Sequence, residues 1–484
     1  MAQTNYKLNL LINSFTIKEL EEFRLFISCP LFTNGRNYFP FLEYVLKTKN
    51  KSDKHSLPEK IKASGNENSI SKQTLRNRCS ELNKLCEDFL IYKGLSENKS
   101  ERDKFLFEKM KEKKLYQPLI NKLRKSIKQL NHEKFDVPKL KNLISLSEIY
   151  SGYLTETNKI ETLYNEFYDY SKQVFCLNLL VYFQISFEFI QQELNDRKYE
   201  SNYITACLRN LDIGETMSEF RKSDSIVFKV TSMNYYLFKA FGKDISGIFY
   251  SESHKIFTET MPCLKDSYKI NIFRILINLC IKKLNEGELN YRYELFKLYN
   301  EKLSQKLTAD LENNTYTFNH FRDYIFIGIA IKKYKWVENF IQNYSGKLPV
   351  GIRKDETMLS YAKLYFEKKN YKRSLENLNE VNASHYLQYI DSSLLKLCNY
   401  YELEKYEEAF LEIDKQIHFL KNHREIPRIQ HFYCINFVKI YKKLIRIKTE
   451  PVFSDKGIIN KELAGYKHIA KRNWLQKKIF ELIK

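Results

Sequence analysis

The sequence predicts an all-α protein built largely from helix hairpins. The chain has 484 residues but only 13 Gly and 9 Pro, and this scarcity favours long helices because sheet proteins need many tight turns. Apolar residues recur at helical spacing, with no convincing strand pattern. The sequence also matches itself near its C-terminus at an offset of 35 residues. The aligned pairs are Tyr365 with Tyr400, Tyr371 with Tyr406, Ser374 with Ala409, Leu375 with Phe410 and Leu378 with Ile413. A repeat of this size is typical of stacked helix pairs.

The N-terminal region predicts several helices. Thr16 and Glu19 have the spacing of a capping box, and the helix that follows is expected to end near Cys29 and Pro30. A second helix is predicted over 38–46, a short one over 57–63, and a turn over 65–68. Ser71 is expected to cap a long helix that stops near Gly94. Its apolar stripe consists of Leu75, Cys79, Leu82, Cys86 and Phe89.

The pattern of apolar residues predicts a series of helices in the middle of the chain, from residue 100 to about residue 315. The clearest segments are 105–116, 119–130, 140–150, 160–194, 270–284 and 291–303. The segment 160–194 is apolar on several sides, so it is expected to run through the middle of the fold. Another hairpin is predicted from 318–333 and 336–344. It matches the later copies more weakly, because Gly328 stands where they have an aromatic residue.

The C-terminal copies resemble the tetratricopeptide repeat. Ala362-Lys363-Leu364-Tyr365 followed by Asn370-Tyr371-Lys372-Arg373-Ser374-Leu375 carries the resemblance. It implies an α-solenoid of helix hairpins in which the first helix of each pair lines a concave groove. The matching groove positions are Leu359, Lys363, Phe366, Leu394, Cys398 and Tyr401. The simpler interpretation is that these side chains only pack against the adjacent repeat.

The resemblance implies that the groove holds an extended or helical segment of another protein by apolar and aromatic contacts. Some family members use Lys and Asn to clamp a terminal carboxylate. Here Cys398 stands at the position equivalent to Lys363 and no Asn accompanies it, so clamping is not expected. The N-terminal run from Phe23 to Phe32 also looks like the start of a group of uncharacterised bacterial proteins with similar helical C-termini.

The organisation predicted on this basis is one continuous helical body with four parts. They are an N-terminal helical domain (1–95), an irregular helical-hairpin array (96–315), tetratricopeptide-like repeats (316–450) and a basic C-terminal capping helix (451–484).

The formal net charge of +21 suits nucleic acid, an acidic partner or an anionic surface. It is equally compatible with a compositional bias toward Lys. The order of polar and apolar residues over 71–78 resembles that of a helix-turn-helix recognition helix. Its candidate contacts to nucleic acid are Lys72, Gln73, Arg76 and Arg78. The basic tail adds Lys442, Lys443, Arg446, Lys471 and Arg472. A solvated helix face and a capping helix explain the same two regions without nucleic acid.

Several classes of function are not expected. The nine cysteines are scattered without CxxC spacing, which favours a reducing compartment. Residues 174–190 are interrupted by polar side chains, so they predict a buried helix rather than a membrane span. No catalytic, metal or cofactor motif occurs in the sequence. The prediction is a soluble, cytoplasmic, non-enzymatic adaptor without cofactors that binds another protein. The alternative is a nucleic-acid-binding regulator.

Overall fold

The computed structural model describes residues 2–48, 72–194, 202–242, 246–307, 315–383, 385–449 and 456–483. Every regular element in these ranges is a helix; an isolated β-bridge joins Phe135 and Leu264. The predicted all-α class is therefore confirmed for the part of the chain described. The predicted short helix over 57–63 and the turn over 65–68 lie outside the described residues.

The chain divides into two compact units. The first comprises residues 1–133 and 137–177, and the second comprises residues 134–136 and 178–484. The division falls inside one long helix, within the segment predicted over 160–194. The predicted boundaries after residues 95, 315 and 450 remain predictions.

The first unit contains the helices up to the first part of α9. They are α1 (Ala2–Ser14), α2 (Ile17–Ser28), α3 (Pro30–Thr33), α4 (Phe39–Thr48), α5 (Lys72–Glu97), α6 (Lys99–Glu112), α7 (Tyr116–His132), α8 (Val137–Glu156) and α9 (Ile160–Leu194). Helix α5 continues past Gly94, so the predicted stop at this glycine is wrong. Nothing lies within 4 Å of a Cβ placed at Gly94, and a single exposed glycine only weakens a helix.

The N-terminal core is built from aromatic rings on α2 and α5 and on the turn before α2. Phe15, Phe23 and Phe89 meet with ring centroids 5.3 to 5.6 Å apart. The predicted capping box at the start of α2 is present. The Thr16 backbone N–H donates to Glu19 Oε2 at 2.8 Å, and the Glu19 N–H donates to Thr16 Oγ1 at 3.2 Å. The cap therefore fixes where α2 begins, and the rings fix which face of it is buried.

The second unit contains the remaining helices. They are α10 (Tyr203–Asn210), α11 (Gly214–Lys222), α12 (Ile226–Ala240), α13 (Ile248–Thr260), α14 (Asp266–Asn285), α15 (Tyr291–Ser304), α16 (Phe318–Ala330), α17 (Tyr334–Tyr344), α18 (Val350–Glu367), α19 (Tyr371–Asn379), α20 (Tyr386–Glu402), α21 (Tyr406–Asn422), α22 (Arg428–Thr449), α23 (Lys456–Gly465) and α24 (Arg472–Ile483). Short 3-10 helices occur at Met261–Cys263 and Ser345–Lys347.

The helices α16 to α21 pack as three consecutive pairs. Each helix contacts the next one in its pair, and the first helices of the pairs, α16, α18 and α20, also contact their neighbours. In the second pair, the buried Ser374 hydroxyl donates to the Ala362 carbonyl at 2.8 Å, which joins α19 to α18. The Asn399 amide on α20 donates to the same hydroxyl at 3.0 Å. A small polar residue therefore holds two pairs together.

The same turn joins the two helices of each pair. Lys332, Lys369 and Glu404 have positive φ angles of 59°, 60° and 58°, and each stands two residues before the tyrosine that begins the second helix. In each turn the next N–H donates to the carbonyl five residues earlier, at 2.9 Å, which is a Schellman motif. The acceptors are Gly328, Tyr365 and Tyr400. The structure thus aligns α16 and α17 with the two later copies.

Gly328 stands where the later copies have an aromatic residue, because α16 and α17 pack closely at this position. A Cβ atom at Gly328 would lie 2.5 Å from Val337 Cγ2 and 3.1 Å from Trp336 Cε3. In the later copies, Ser374 and Ala409 stand where this pair has Val337. In this pair the small residue at the contact therefore lies on the first helix, whereas in the later copies it lies on the second.

The tyrosines of the repeat are shielded to different degrees. Tyr365 is buried, whereas Tyr371, Tyr400 and Tyr406 are half-buried. None of the four is fully exposed, which agrees with their expected position between helices.

Helix α9 is long and apolar enough to be compared with a membrane-spanning helix. By length and composition alone, its stretch Ile160–Gln192 could cross a bilayer, and 39% of the most apolar window is buried inside the fold. A single helix of this kind also occurs in the cores of soluble proteins. The expected absence of a membrane span remains a prediction.

Replacing Tyr324 with Phe is expected to leave the second unit as stable as before or more stable, by up to about 1 kcal/mol. The ring is fully buried and stacks on Phe340 with centroids 4.8 Å apart. Its hydroxyl has no hydrogen-bond partner among the described residues. Urea unfolding of the two forms would measure the difference, and a loss of more than about 1 kcal/mol would show that the hydroxyl has a partner after all.

Candidate functional site

The predicted groove residues separate into two sets. Lys363, Phe366 and Cys398 line a cavity of about 520 Å³ between α16, α18, α20 and the start of α24. Leu359, Leu394 and Tyr401 are buried in the core between the helices. Only the first set borders the cavity.

The cavity combines apolar walls with a basic rim. Its full lining is Phe326, Ile329, Lys363, Phe366, Glu367, Lys369, Tyr371, Leu395, Cys398, Glu402, Lys471, Arg472, Asn473, Trp474 and Lys477. Two of the basic-tail candidates, Lys471 and Arg472, thus lie beside the groove candidates. In the sequence-based prediction these residues belong to separate sites.

A network of buried charges supports the cavity from behind. The Arg322 guanidinium on α16 donates to both oxygens of Glu356 on α18, at 2.7 and 2.9 Å, and to Asp391 Oδ2 on α20 at 2.7 Å. The Arg322 side chain also covers the Phe318 ring at 3.8 Å. Because the network takes one charge from each of three helices, it sets their relative positions at the cavity.

Lys363 extends this network toward the cavity. Its ammonium donates to Asp391 Oδ2 at 3.4 Å and stands 4.8 Å from the centroid of the Phe326 ring. Burial lowers the pKa of Lys363, although Asp391 partly offsets the effect. Burial acts to raise the pKa of Asp391, but Lys363 and Arg322 outweigh it, so the net shift is downward. Asp391 therefore stays ionised between two cations.

Cys398 contributes an apolar surface rather than a reactive group. Burial raises the pKa of its thiol to about 12. The thiol is thus protonated at neutral pH, and a nucleophilic thiolate does not form.

Helix α24 forms one wall of the cavity and is anchored by Glu402 of α20. The Trp474 indole N–H donates to Glu402 Oε1 at 2.9 Å, and the Lys478 ammonium donates to Glu402 Oε2 at 2.8 Å. Leu475 and Ile479 on the same helix are buried. The wall is therefore a packed part of the second unit.

The basic residues of the wall have different roles. The Arg472 guanidinium donates to the backbone carbonyls of Leu463, at 3.0 Å, and Tyr466. The side-chain ammonium groups of Lys471, Lys369 and Lys477 have no hydrogen-bond or ion-pair partner among the described residues. Arg472 is therefore used to hold the chain in place, and the three lysines leave positive charge at the cavity.

The other nucleic-acid candidates lie on α5 of the first unit and on α22 of the second. In the first unit, the Gln73 amide donates a hydrogen bond to Asn77, and Arg78 forms an ion pair with Glu81 at 3.0 Å. Arg76 is exposed, and the side chain of Lys72 is not among the described parts of the chain. In the second unit, Lys442 and Arg446 are exposed on α22, as is Lys443, which pairs with Glu462 at 2.6 Å.

The sequence prediction did not assign to this site four residues that line the cavity or support it from behind. Arg322, Asp391, Trp474 and Lys477 belong to helices that are far apart in sequence. An isolated Trp in a basic helix and an Arg within an apolar helix were the available signals. Among the described residues, no group of three or more His, Cys, Asp or Glu side chains could hold a metal ion.

Comparison with family models, with curated proteins and with solved structures gave no match. The tetratricopeptide resemblance therefore stands on the residues quoted for it.

Proposed function

We propose that this chain is a non-enzymatic adaptor that binds a segment of another protein in the cavity between α16, α18, α20 and α24. The observation that carries the proposal is a cavity of about 520 Å³ lined by aromatic, aliphatic and basic side chains. Pockets with apolar walls and a few polar groups are the usual binding sites of folded proteins. An aromatic anchor residue of the partner would have Phe366 and Trp474 as neighbours.

The array that carries this cavity is proposed to be a tetratricopeptide-like solenoid. Three helix pairs share the same turn and the same Schellman hydrogen bond, which supports a repeated unit. Repeat arrays of this kind present elongated binding surfaces on one side. The first helices of the three pairs would supply that surface here, because α16, α18 and α20 all contribute to the cavity lining.

A photo-crosslinker placed at the cavity would test the proposal. Phe326 lines the cavity and is 50% exposed, whereas Phe410 on α21 is 44% exposed and lies outside the lining. We expect p-benzoylphenylalanine at position 326 to crosslink a partner protein in a nuclease-treated extract of the native cell. The same group at position 410 should not capture that partner, and mass spectrometry of the crosslinked peptides would identify the segment.

The alternative of a nucleic-acid regulator makes a different prediction. A protein that engages phosphates through Lys471 and Lys477 would bind labelled RNA or DNA at low salt and lose affinity steeply as salt rises. Equal capture at positions 326 and 410, or crosslinks at 326 that vanish with nuclease, would contradict the adaptor.

A further inference from the structure

The charges around the cavity are not balanced. Five basic side chains and two carboxylates line it. One carboxylate, Glu402, already accepts hydrogen bonds from Trp474 and Lys478. Glu367 is the other, and it lies on the exposed end of α18. The cavity therefore presents net positive charge to an occupant.

Lys363 gives this charge a fixed position at the base of the cavity. Its side chain is only 9% exposed. An ammonium group has three donors, but the described residues provide Lys363 with a single acceptor oxygen, at 3.4 Å, which also accepts a hydrogen bond from Arg322 at 2.7 Å. A buried cation with unused donors is costly, and an anionic acceptor in the cavity would lower that cost.

Apolar side chains surround this cation. Leu395 and Cys398 are buried at the cavity and Phe366 is half-buried, while Phe326 and Trp474 provide aromatic surface. An occupant that satisfied Lys363 but offered only polar groups would leave these surfaces in contact with water. The best match carries an apolar group and an anionic group close together.

From this arrangement we propose that the occupant is an acidic peptide segment, with a Glu or Asp side chain that pairs with Lys363 and a neighbouring apolar side chain against Phe366 and Trp474. This inference rests on the proposed adaptor function and specifies its partner. The exposed lysines Lys369 and Lys477 at the rim would attract further acidic residues of the same segment.

Selection from a phage-displayed library of random peptides would test this chemistry on the full chain. We expect enrichment of sequences with Asp or Glu beside Leu, Ile, Phe or Trp. Enrichment should be lost with Lys363→Met and weakened with the exposed rim variant Lys477→Glu. The matched control is Lys372→Met, because Lys372 is exposed on α19 outside the cavity lining. Tryptophan fluorescence would verify that each variant is folded.

A labelled synthetic peptide of the most enriched sequence would then be titrated by fluorescence anisotropy. Replacing its acidic residues with Gln or Asn should weaken binding at least about tenfold, and raising the salt concentration should weaken binding of the acidic form only. Neutral or basic peptides that depend on the cavity would overturn the acidic assignment and leave the adaptor intact. If no peptide binding were sensitive to Lys477→Glu or to a Trp474→Ala variant, the adaptor proposal itself would be contradicted.

Discussion

Replacing Arg322 with Met is expected to destabilise the second unit by about 3–5 kcal/mol, because it leaves the buried Glu356 carboxylate without its cation. The Glu356 side chain is 0% exposed and Arg322 is 10% exposed, so water cannot replace the lost hydrogen bonds. Among the described residues, Asp391 would keep one hydrogen-bond donor, Lys363, at 3.4 Å. This is the largest effect that we expect from a single charge in the chain.

Both tryptophans of the chain, Trp336 and Trp474, belong to the second unit. Tryptophan fluorescence during urea unfolding therefore follows this unit alone. The control is Lys354→Met on α18, whose ion pair with Glu380 is 3.6 Å long and 63% exposed on both sides. We expect that control to cost less than about 1 kcal/mol.

A double variant would separate a lost interaction from a misfolded unit. Arg322→Met combined with Glu356→Leu removes both charges, so it should recover much of the stability lost in the single variant. If the double variant were no more stable than Arg322→Met alone, the network would not act through charge pairing.

Replacing Gly328 with Ala is expected to destabilise the second unit by about 1–3 kcal/mol through overpacking. The new methyl group would lie 2.5 Å from Val337 Cγ2, so either α17 or the Val337 side chain must move. In an unobstructed helix the same substitution stabilises by about 0.5–1 kcal/mol. The sign of the measured change therefore reports directly on the close approach of α16 and α17.

Urea unfolding followed by tryptophan fluorescence would measure this change as well. Gly351→Ala on α18 is the control within the same unit, because nothing lies within 4 Å of a Cβ at Gly351. Val337→Ala removes the closest contact but also buried methyl groups, so Gly328→Ala should cost less in the Val337→Ala background than in the unmodified chain. A Gly328→Ala protein as stable as the unmodified chain would show that the two helices are further apart than described.

Local patterns in the sequence predicted much of the fold. The helical spacing of apolar residues gave the all-α class, and the residue types at Thr16 and Glu19 were sufficient to predict the capping box. The offset of 35 residues identified the two later hairpins. These features depend on residues within one or two helical turns of each other, where sequence spacing translates directly into geometry.

The first of the three hairpins, α16 and α17, was harder to recognise because its packing differs. Gly328 replaced the expected aromatic residue, and only the turn geometry at Lys332 aligned it with Lys369 and Glu404. Lysine and glutamate are unusual at positive φ, so the residue types gave no signal for this turn. The tyrosine two residues later was the one residue type that all three hairpins share at this turn.

The cavity could be predicted only in part. The positions of Lys363, Phe366 and Cys398 at the cavity could be predicted from the helix register. The burial of Leu359, Leu394 and Tyr401 could not, because it depends on the spacing between neighbouring helix pairs. The contribution of Trp474 depends on where the last helix returns to the array. The pairing of Arg322 with Asp391 joins residues from different helix pairs, and no pattern in a single sequence reports such long-range contacts.

The identical turns at Lys332, Lys369 and Glu404 also suggest how such an array changes in length. Each turn occupies the same place in its hairpin, so unequal recombination between two copies of the gene would insert or delete one complete hairpin without breaking a helix. Because stability in stacked repeats is roughly a sum over units and their interfaces, a chain with one hairpin duplicated is expected to fold.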